Sequence, residues 1–194
     1  MSVLLSAPVA RGQGLRQGFV WSVGLGAAPL AHWSIDQFNG EGGGPAVRGM
    51  VGSLASRRNV LGLEAHFAMV SRGPWGDAPL THGFVGPVWY HYYGRPGSSL
   101  ITSVGIGLSD LDANLGENGA DFCYGLPGPP NPRGQWGIGG LAGIGYEFSR
   151  NWQGMTYFSI GQPNAERRCG DQTYPGAHRY RSYFVSLVIS WISD

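Results

Sequence analysis

Residues 180–192 read YRSYFVSLVISWI, and the pattern of this stretch decides the fold. Large apolar or aromatic side chains occupy every second position, namely Tyr183, Val185, Leu187, Ile189 and Trp191. Ser182, Phe184, Ser186, Val188 and Ser190 alternate with them, so three of these five positions are serine. Because a β-strand turns successive side chains to opposite faces, the stretch predicts a strand with one large apolar face and one mostly small face.

The same period of two recurs from residue 17 onwards, and helical spacing is never sustained. Glycine often holds the small face, as in GGLAGIGYEF at residues 139–148. The pattern predicts eight strands, over residues 18–26, 46–54, 60–71, 83–93, 99–109, 136–148, 152–160 and 180–192. The fourth is aromatic on both faces, so its orientation stays open, and its Pro87 requires a bulge or an unpaired position.

The predicted links between these strands alternate in length. Residues 27–45, 72–82, 110–135 and 161–179 form long links rich in Gly and Pro, whereas residues 55–59, 94–98 and 149–151 form short ones. This alternation is typical of an up-and-down antiparallel barrel with long loops on one rim and tight turns on the other. An even number of strands then puts both chain ends at the short-turn rim.

The composition is poor for a soluble surface, because charged residues make up only 13% of the chain, while it holds 34 glycines. No apolar stretch is long enough for a membrane helix. The 13 basic residues are scattered, which argues against a nucleic-acid partner. Residues 1–13 resemble a truncated signal peptide, which leaves residues 14–194 as the barrel domain.

The apolar strand face is therefore expected to contact outer-membrane lipid, and the face of small residues is expected to fill a narrow interior. Closing the sheet also satisfies every backbone hydrogen bond away from water. The alternative is a soluble lipocalin-like barrel or sandwich, whose apolar face would turn inward around a ligand. The strand face opposite the apolar one lacks the Lys and Glu residues that a solvent-exposed exterior requires.

Two segments carry a family resemblance: GGLAGIGYEF at residues 139–148 and SYFVSLVISWISD at residues 182–194. They resemble strands of the small outer-membrane barrels related to the OmpA and OmpX proteins. The resemblance implies residence in the bacterial outer membrane and insertion by the barrel-assembly machinery, which in that family recognises the final strand. Trp191 would be the recognised aromatic, although this chain continues three residues beyond it.

Three polar residues are predicted to meet inside the barrel. Glu64 and His66 point the same way from the third strand, and Arg48 of the second strand can face them across the interior. A charge in a narrow lumen needs a partner, so we expect a buried ion-pair network that fills the interior. The alternative is a general acid–base pair or a gated polar path.

Two cysteines, Cys123 and Cys169, fall in different long links on the same predicted rim. An exported protein meets an oxidising compartment, so a disulfide that clamps the two loops is predicted. The alternative is two reduced, unrelated thiols.

One motif suggests an enzyme. Lipid A deacylases of similar barrel size use a His-x-Ser element with a Glu, and His32, Ser34 and Glu41 offer these residue types here. The motif of that family lies late in the chain and on a strand, whereas His32 and Ser34 follow the first predicted strand. The histidines show no metal-ligand spacing, and no cofactor is expected.

The sequence thus favours a non-enzymatic barrel of the outer membrane with a filled interior and outward loops that contact surface ligands. A lipid-modifying enzyme and a narrow pore for small solutes are the two alternatives.

Overall fold

The structure, a computed structural model, describes residues 18–35, 38–70, 80–113, 136–169 and 172–193. Its strands are β1 (Phe19–Ile35), β2 (Phe38–Ser56), β3 (Asn59–Val70), β4 (Leu80–Tyr92), β5 (Ser99–Ala113), β6 (Gly137–Ser149), β7 (Trp152–Cys169) and β8 (Gln172–Ile192). Each strand pairs antiparallel with the next, and β8 pairs with β1 to close a barrel. The predicted eight-stranded antiparallel barrel is confirmed. Within these ranges no helix is long and apolar enough to cross a membrane.

The barrel carries its large apolar side chains on the outside. Leu25 is 72% exposed and Ile138 is 73% exposed, while Ser22 and Ser190 on the inner face are buried. The strict alternation along each strand produces this separation. The alternative of a soluble barrel with its apolar face turned inward is therefore wrong.

The narrow interior is filled by a few large side chains opposite glycines. On β4, whose orientation the sequence left open, Phe84 and Tyr90 are fully buried inside while Trp89 is exposed outside. A β-carbon on Gly143 would lie 2.8 Å from the ring of Tyr157, so this glycine makes room for the tyrosine. Interiors of eight-stranded barrels are just wide enough for side chains to fill, as these contacts show.

Pro87 lies where the ladder to β5 is interrupted. Pairing passes from Val85↔Leu108 directly to Val88↔Gly105, and Pro87 pairs on its other side with Leu63 of β3. Proline has no N–H to donate to a neighbouring strand. The register is unchanged across the gap, so an unpaired position accommodates Pro87.

The strands reach much further than the sequence predicted. β1 and β2 pair as far as Ile35↔Phe38, and β7 and β8 pair as far as Cys169↔Gln172. Most of residues 27–45 and 161–179, predicted as long links, is therefore strand. Their Gly and Pro content hid the strand period, and pairing with neighbouring strands overrides such weak local preference.

These longer strands make one side of the barrel taller than the other. β1, β2, β7 and β8 contain 17, 19, 18 and 21 residues, whereas β3, β4 and β6 contain 12, 13 and 13. Because β1 also pairs with β8 up to Ile35↔Tyr180, the four long strands form one continuous extension of the wall.

A bulge around Pro29 interrupts β1 within this extension. Two residues of β1, Pro29 and Leu30, face the single residue Gly43 of β2, and the same offset of one residue occurs against β8. The extra residue lets the strand pass a proline that cannot donate a hydrogen bond. Beyond the bulge Trp33 points inward and is buried, so His32 lies on the outer face.

Candidate functional site

A charged cluster lies inside the barrel on β2 and β3. Arg48 pairs across the sheet with His66, and Glu64 lies two residues before His66, so all three occupy the inner face. Their exposed fractions are 3% for Arg48, 1% for Glu64 and 1% for His66. The structure thus brings together the three residues that the sequence singled out for the interior.

Arg48 uses its whole guanidinium group in this cluster. Its Nε donates to Glu64 Oε1 at 3.0 Å, and Nη2 donates to Glu64 Oε2 at 3.3 Å. Nη1 donates to the hydroxyls of Ser22 at 2.8 Å and Ser190 at 3.1 Å, and Nη2 also donates to Tyr90 at 2.7 Å. Five hydrogen bonds match the five donors of the group, and the Glu64 carboxylate supplies its counter-charge.

Two tyrosines complete the cluster, Tyr90 from the neighbouring strand β4 and Tyr157 from β7 across the lumen. The Tyr90 hydroxyl donates to Glu64 Oε2, and the hydroxyl oxygens of Tyr90 and Tyr157 are 3.1 Å apart. The Arg48 guanidinium carbon lies 5.2 Å from the centre of the Tyr90 ring and 5.5 Å from that of Tyr157, within range of a cation–π contact. We refer to Ser22, Arg48, Glu64, Tyr90, Tyr157 and Ser190 as the lumen plug.

Two interior histidines, His66 and His82, are hydrogen-bonded to serines. His66 Nε2 is 3.0 Å from the Ser186 hydroxyl. His82 lies between two hydroxyls, with Nδ1 2.7 Å from Ser182 and Nε2 3.2 Å from Ser159. Since serines occupy both ring nitrogens of His82, no carboxylate orients it as in a hydrolytic triad. These contacts favour packing over catalysis.

His82, Tyr90 and Tyr157 also lie in the interior, although the sequence pattern did not predict them there. A signal for two of them was present, because the position numbers of His82 and Tyr90 are both even, so the two residues share one face of a strand. The aromatic residues on both faces of β4 prevented that face from being assigned.

The His32 motif lies on the outside of the barrel, near the rim opposite the short turns. His32 and Ser34 belong to β1 and Glu41 belongs to β2, which corrects their predicted position in a link. His32 pairs directly with Glu41, and its Nδ1 lies 3.6 Å from Glu41 Oε1. Ser34 lies two residues further along the same face, and no hydrogen bond joins it to His32 among the described residues.

A groove of about 420 Å³ adjoins this pair on the outer surface. Leu30, Phe158, Tyr183 and Val185 contribute its apolar walls. It lies beside the Pro29 bulge, where the outer surface of β1 is irregular. The structure therefore joins a polar His–Glu pair to an apolar surface groove.

Comparison with solved structures identifies the fold. Neisserial surface protein A matches with a TM-score of 0.55 and 13% identity over 90% of this chain and 99% of that chain. The outer membrane protein AlkL, solved in lipid bilayers, matches with a TM-score of 0.54 and 11% identity over 95% of this chain and 94% of that chain. Ail of Yersinia pestis, the attachment invasion locus protein, matches with a TM-score of 0.52 and 12% identity over 92% of this chain and 100% of that chain.

The chain has the fold of the small eight-stranded outer-membrane barrels. The fold that the family resemblance implied is thereby confirmed. No protein-family model and no curated protein matches the sequence.

In this outer-membrane barrel fold, the predicted assembly residues line the outside of β8. Leu187 and Ile189 are exposed, and Tyr183, Val185 and Trp191 are half-buried. The Trp191 ring lies 4.9 Å from that of Trp21, at the rim where the described chain begins and ends. Aromatic pairs of this kind form the interfacial girdles of outer-membrane barrels.

The cysteine prediction falls partly outside the described residues. Cys169 is the last residue of β7 and not part of a link as predicted, while Cys123 lies outside the described residues. The disulfide between them stays a prediction. Among the described residues, no group of three His, Cys, Asp or Glu side chains is placed to hold a metal ion.

Proposed function

We propose that this protein is a structural and surface protein of the bacterial outer membrane, without enzymatic activity, and that its lumen is closed. One observation carries the proposal: the apolar side chains face outward while Arg48 and Glu64 bond to each other in the lumen plug. An exterior of this kind suits hydrocarbon, and in the lumen plug Arg48 and Glu64 direct their hydrogen bonds to each other and to neighbouring hydroxyls.

Gel mobility tests the membrane barrel. Detergent-extracted protein is run with and without boiling, and circular dichroism is recorded on the same sample. A closed membrane barrel resists unfolding until heated, so we expect a heat-dependent shift together with a strand-rich spectrum. A water-soluble protein without a shift would contradict the proposal.

Conductance in planar bilayers tests whether the lumen is closed. The lumen plug places Tyr90, Tyr157 and Glu64 in full burial across the interior, so the wild-type protein should give no single-channel steps. Stable steps in the wild type would instead support the alternative of a narrow pore for small solutes.

Surface recognition is assigned to the tall side of the barrel. A membrane strand needs about 9 to 11 residues, and the 21 residues of β8 exceed this. The sequence puts Arg167, Arg168, Arg179 and Arg181 on the β7–β8 hairpin, together with the acids Glu166 and Asp171. Ail has been solved with the heparin analogue sucrose octasulfate, so a barrel of this fold can bind a polyanionic saccharide. Retention on heparin–agarose that Arg179→Gln/Arg181→Gln weakens would support such a ligand here.

Insertion by the barrel-assembly machinery is supported by the outward-facing apolar row on β8. Trp191→Ala is expected to lower the fraction of protein that shows the heat-dependent shift in cells. Trp152→Ala is the matched control, because Trp152 is the cross-strand neighbour of Trp191 but does not belong to the final strand. An equal loss in both variants would argue against recognition of Trp191.

The clamping disulfide between Cys123 and Cys169 is also proposed. Both thiols belong to an exported protein with two cysteines, and Cys169 ends β7 close to the extended rim. Peptide mapping without reducing agent should recover the two cysteines in one linked peptide pair. Recovery of two free thiols would contradict the bridge.

A second candidate function is lipid deacylation, favoured by the His32–Glu41 pair beside the outer groove. In this reaction Ser34 Oγ would attack an acyl ester while His32 takes the hydroxyl proton, and the lipid alcohol would leave with that proton. Water would then release the fatty acid from the acyl-serine. Release of fatty acid from lipopolysaccharide that Ser34→Ala abolishes would support the enzyme. The absence of release from the wild type would exclude it.

A further inference from the structure

A polar and aromatic cluster lies on the outer face of the barrel, beside the β2–β3 turn. Asn59, the first residue of β3, pairs with His91 of β4. Trp89 and Tyr93 lie two residues before and two residues after His91, so the three rings share one face of the chain. The ring centres of His91 and Tyr93 are 4.5 Å apart, and those of Trp89 and His91 are 5.9 Å apart. We refer to Asn59, Trp89, His91 and Tyr93 as the rim cluster.

Hydrogen bonds within the rim cluster determine which nitrogen of His91 carries the hydrogen. Trp89 Nε1 donates to Asn59 Oδ1 at 2.9 Å, and Asn59 Nδ2 donates to Ser56 Oγ at 2.6 Å, so the orientation of the amide is fixed. His91 Nδ1 lies 2.8 Å from the same Oδ1, which can only accept. In the neutral ring Nδ1 therefore carries the hydrogen, and Nε2 is an acceptor. No group among the described residues donates to this Nε2, so it can accept from a ligand.

The outer faces of β3 and β4 become apolar with distance from the rim cluster. Successive outward pairs in the register are Asn59↔His91, Leu61↔Trp89, Leu63↔Pro87 and Ala65↔Val85. A groove of about 430 Å³ on the outer surface is lined by Leu63, Ala65 and Val85 and continues over β1 and β2. Leu63 lies four residues from Asn59, which corresponds to about 14 Å of strand. A polar rim followed by an apolar groove matches a lipid that lies along the strands from headgroup to acyl chain.

The groove has open space where β2 contributes a glycine. Gly49 lines the groove, and a β-carbon placed on it would meet nothing within 4 Å. Phe19, Val51 and Leu63 form apolar walls around it, and their exposed fractions are 63%, 48% and 58%. A hydrocarbon chain laid there would cover apolar surface on both sides.

We propose that this site binds a phospholipid whose headgroup ends in a primary ammonium, with one N–H donated to His91 Nε2 and one acyl chain in the groove. The acceptor selects a donor, and the half-exposed rings of Trp89 and Tyr93 attract a cation, so together they select an ammonium with a free N–H. Short turns of outer-membrane barrels face the periplasm, so the lipid belongs to the inner leaflet. The inference rests on the proposed membrane location.

The headgroup can be varied without a change of charge. The full chain is folded in detergent micelles, and lipid binding is counted by native mass spectrometry. Phosphatidylethanolamine, its N,N-dimethyl form and phosphatidylcholine carry the same charges, but their nitrogens bear three, one and no hydrogens. We expect the first two to bind at least about tenfold more tightly than phosphatidylcholine, as for the loss of one hydrogen bond to a charged group.

Three variants test the acceptor and the groove. His91→Phe keeps an aromatic ring without the acceptor, so the affinity for phosphatidylethanolamine should fall about tenfold, to that of phosphatidylcholine. Tyr146→Phe is the matched control, because it removes another outward polar group at the short-turn rim, 2.7 Å from the Ser98 hydroxyl, and should leave the headgroup preference unchanged. Gly49→Leu fills the groove and should weaken binding of all three lipids.

Several outcomes would overturn the site. Equal binding of phosphatidylethanolamine and phosphatidylcholine, or a preference that His91→Phe does not reduce, would contradict the contact with the ammonium. Phosphatidylglycerol has no ammonium, so binding of this lipid as tightly as phosphatidylethanolamine would contradict the same contact. Unchanged affinities in Gly49→Leu would contradict an acyl chain in the groove.

Folding is checked for every protein by the heat-dependent gel shift. His91→Leu takes the place of His91→Phe if the latter does not show the shift. A wild type without the shift contradicts the membrane location itself, whereas a shifted wild type that binds phosphatidylethanolamine and phosphatidylcholine equally contradicts only this inference.

Discussion

Two basic–acidic pairs lie on opposite faces of the same barrel wall. Arg48 and Glu64 meet inside at 3.0 Å, and His32 and Glu41 meet outside at 3.6 Å. The inner side chains are 0% exposed, whereas those of His32 and Glu41 are 43% and 86% exposed. Removing one partner from a buried ion costs much free energy, because no water replaces it. At a solvent-exposed rim, water can replace a lost partner at little cost in free energy. The inner pair is therefore a structural element and the outer pair is free to take another role.

The largest difference in stability between inner-face and outer-face variants should come from removing the acid of each pair. Glu64→Ala leaves Arg48 buried without its counter-charge, and we expect a loss of about 3 to 5 kcal/mol in the free energy of unfolding. Glu41→Ala removes the acid of the outer pair and should cost no more than about 1 kcal/mol. Urea unfolding in detergent micelles, followed by tryptophan fluorescence, measures both.

A double variant separates charge from packing at the inner pair. Arg48→Met/Glu64→Leu keeps apolar volume and leaves no buried charge, so it should lose less stability than Glu64→Ala. If the double variant were the less stable of the two, burial of an unpaired charge would not explain the effect.

A smaller effect is expected from one hydroxyl of the lumen plug. Tyr90→Phe removes the group that accepts from Arg48 and donates to Glu64, which should cost about 1.5 to 3 kcal/mol, since both partners are charged. Tyr146→Phe removes an outer hydroxyl that bonds to Ser98 near water, so about 1 kcal/mol or less is expected. Equal midpoints of urea unfolding for the two variants would contradict the contrast between the faces.

Adding a methyl group at a glycine tests the same contrast between tightly packed and open positions. Gly143→Ala forces a methyl group against the Tyr157 ring and the Ser103 hydroxyl, and should cost about 1 to 3 kcal/mol. Gly49→Ala meets nothing within 4 Å and should be neutral or slightly stabilising. The same urea-unfolding assay measures the stability of both variants. An unchanged free energy of unfolding for Gly143→Ala would show that the lumen is less tightly packed than these contacts indicate.

The smallest effect is expected at the outer histidine. His32→Ala removes a side chain that is half-exposed and 3.6 Å from its acid, so the free energy of unfolding should change by less than about 1 kcal/mol. His82→Ala is the inner counterpart, because it removes a ring held by Ser159 and Ser182 and packed 3.9 Å from Phe184. A loss for His32→Ala as large as that for His82→Ala would mean that the outer pair stabilises the barrel.

The sequence contained most of the fold because strand alternation is a local property. The apolar row from Tyr183 to Trp191 already assigned one face to the outside, and the alternation of long and short links predicted an up-and-down barrel. The same parity turned Arg48, Glu64 and His66 to one face. The sequence also contained the residues of the His32 motif. The prolines and glycines around them predicted a loop, whereas the structure has strands there.

By itself, then, the sequence determined the class of barrel, the face of each well-patterned strand and the inward direction of Arg48, Glu64 and His66. Only the tertiary structure decided the register of the closed barrel, which brings Ser190 to Arg48 across 142 residues of chain and sets Tyr90 and Tyr157 hydroxyl to hydroxyl. It also decided how far β1, β2, β7 and β8 extend, and hence that His32 faces Glu41. Local patterning fixes which way a side chain points, whereas its partners across a lumen depend on the pairing of strands far apart in sequence, and such pairing leaves no local signal.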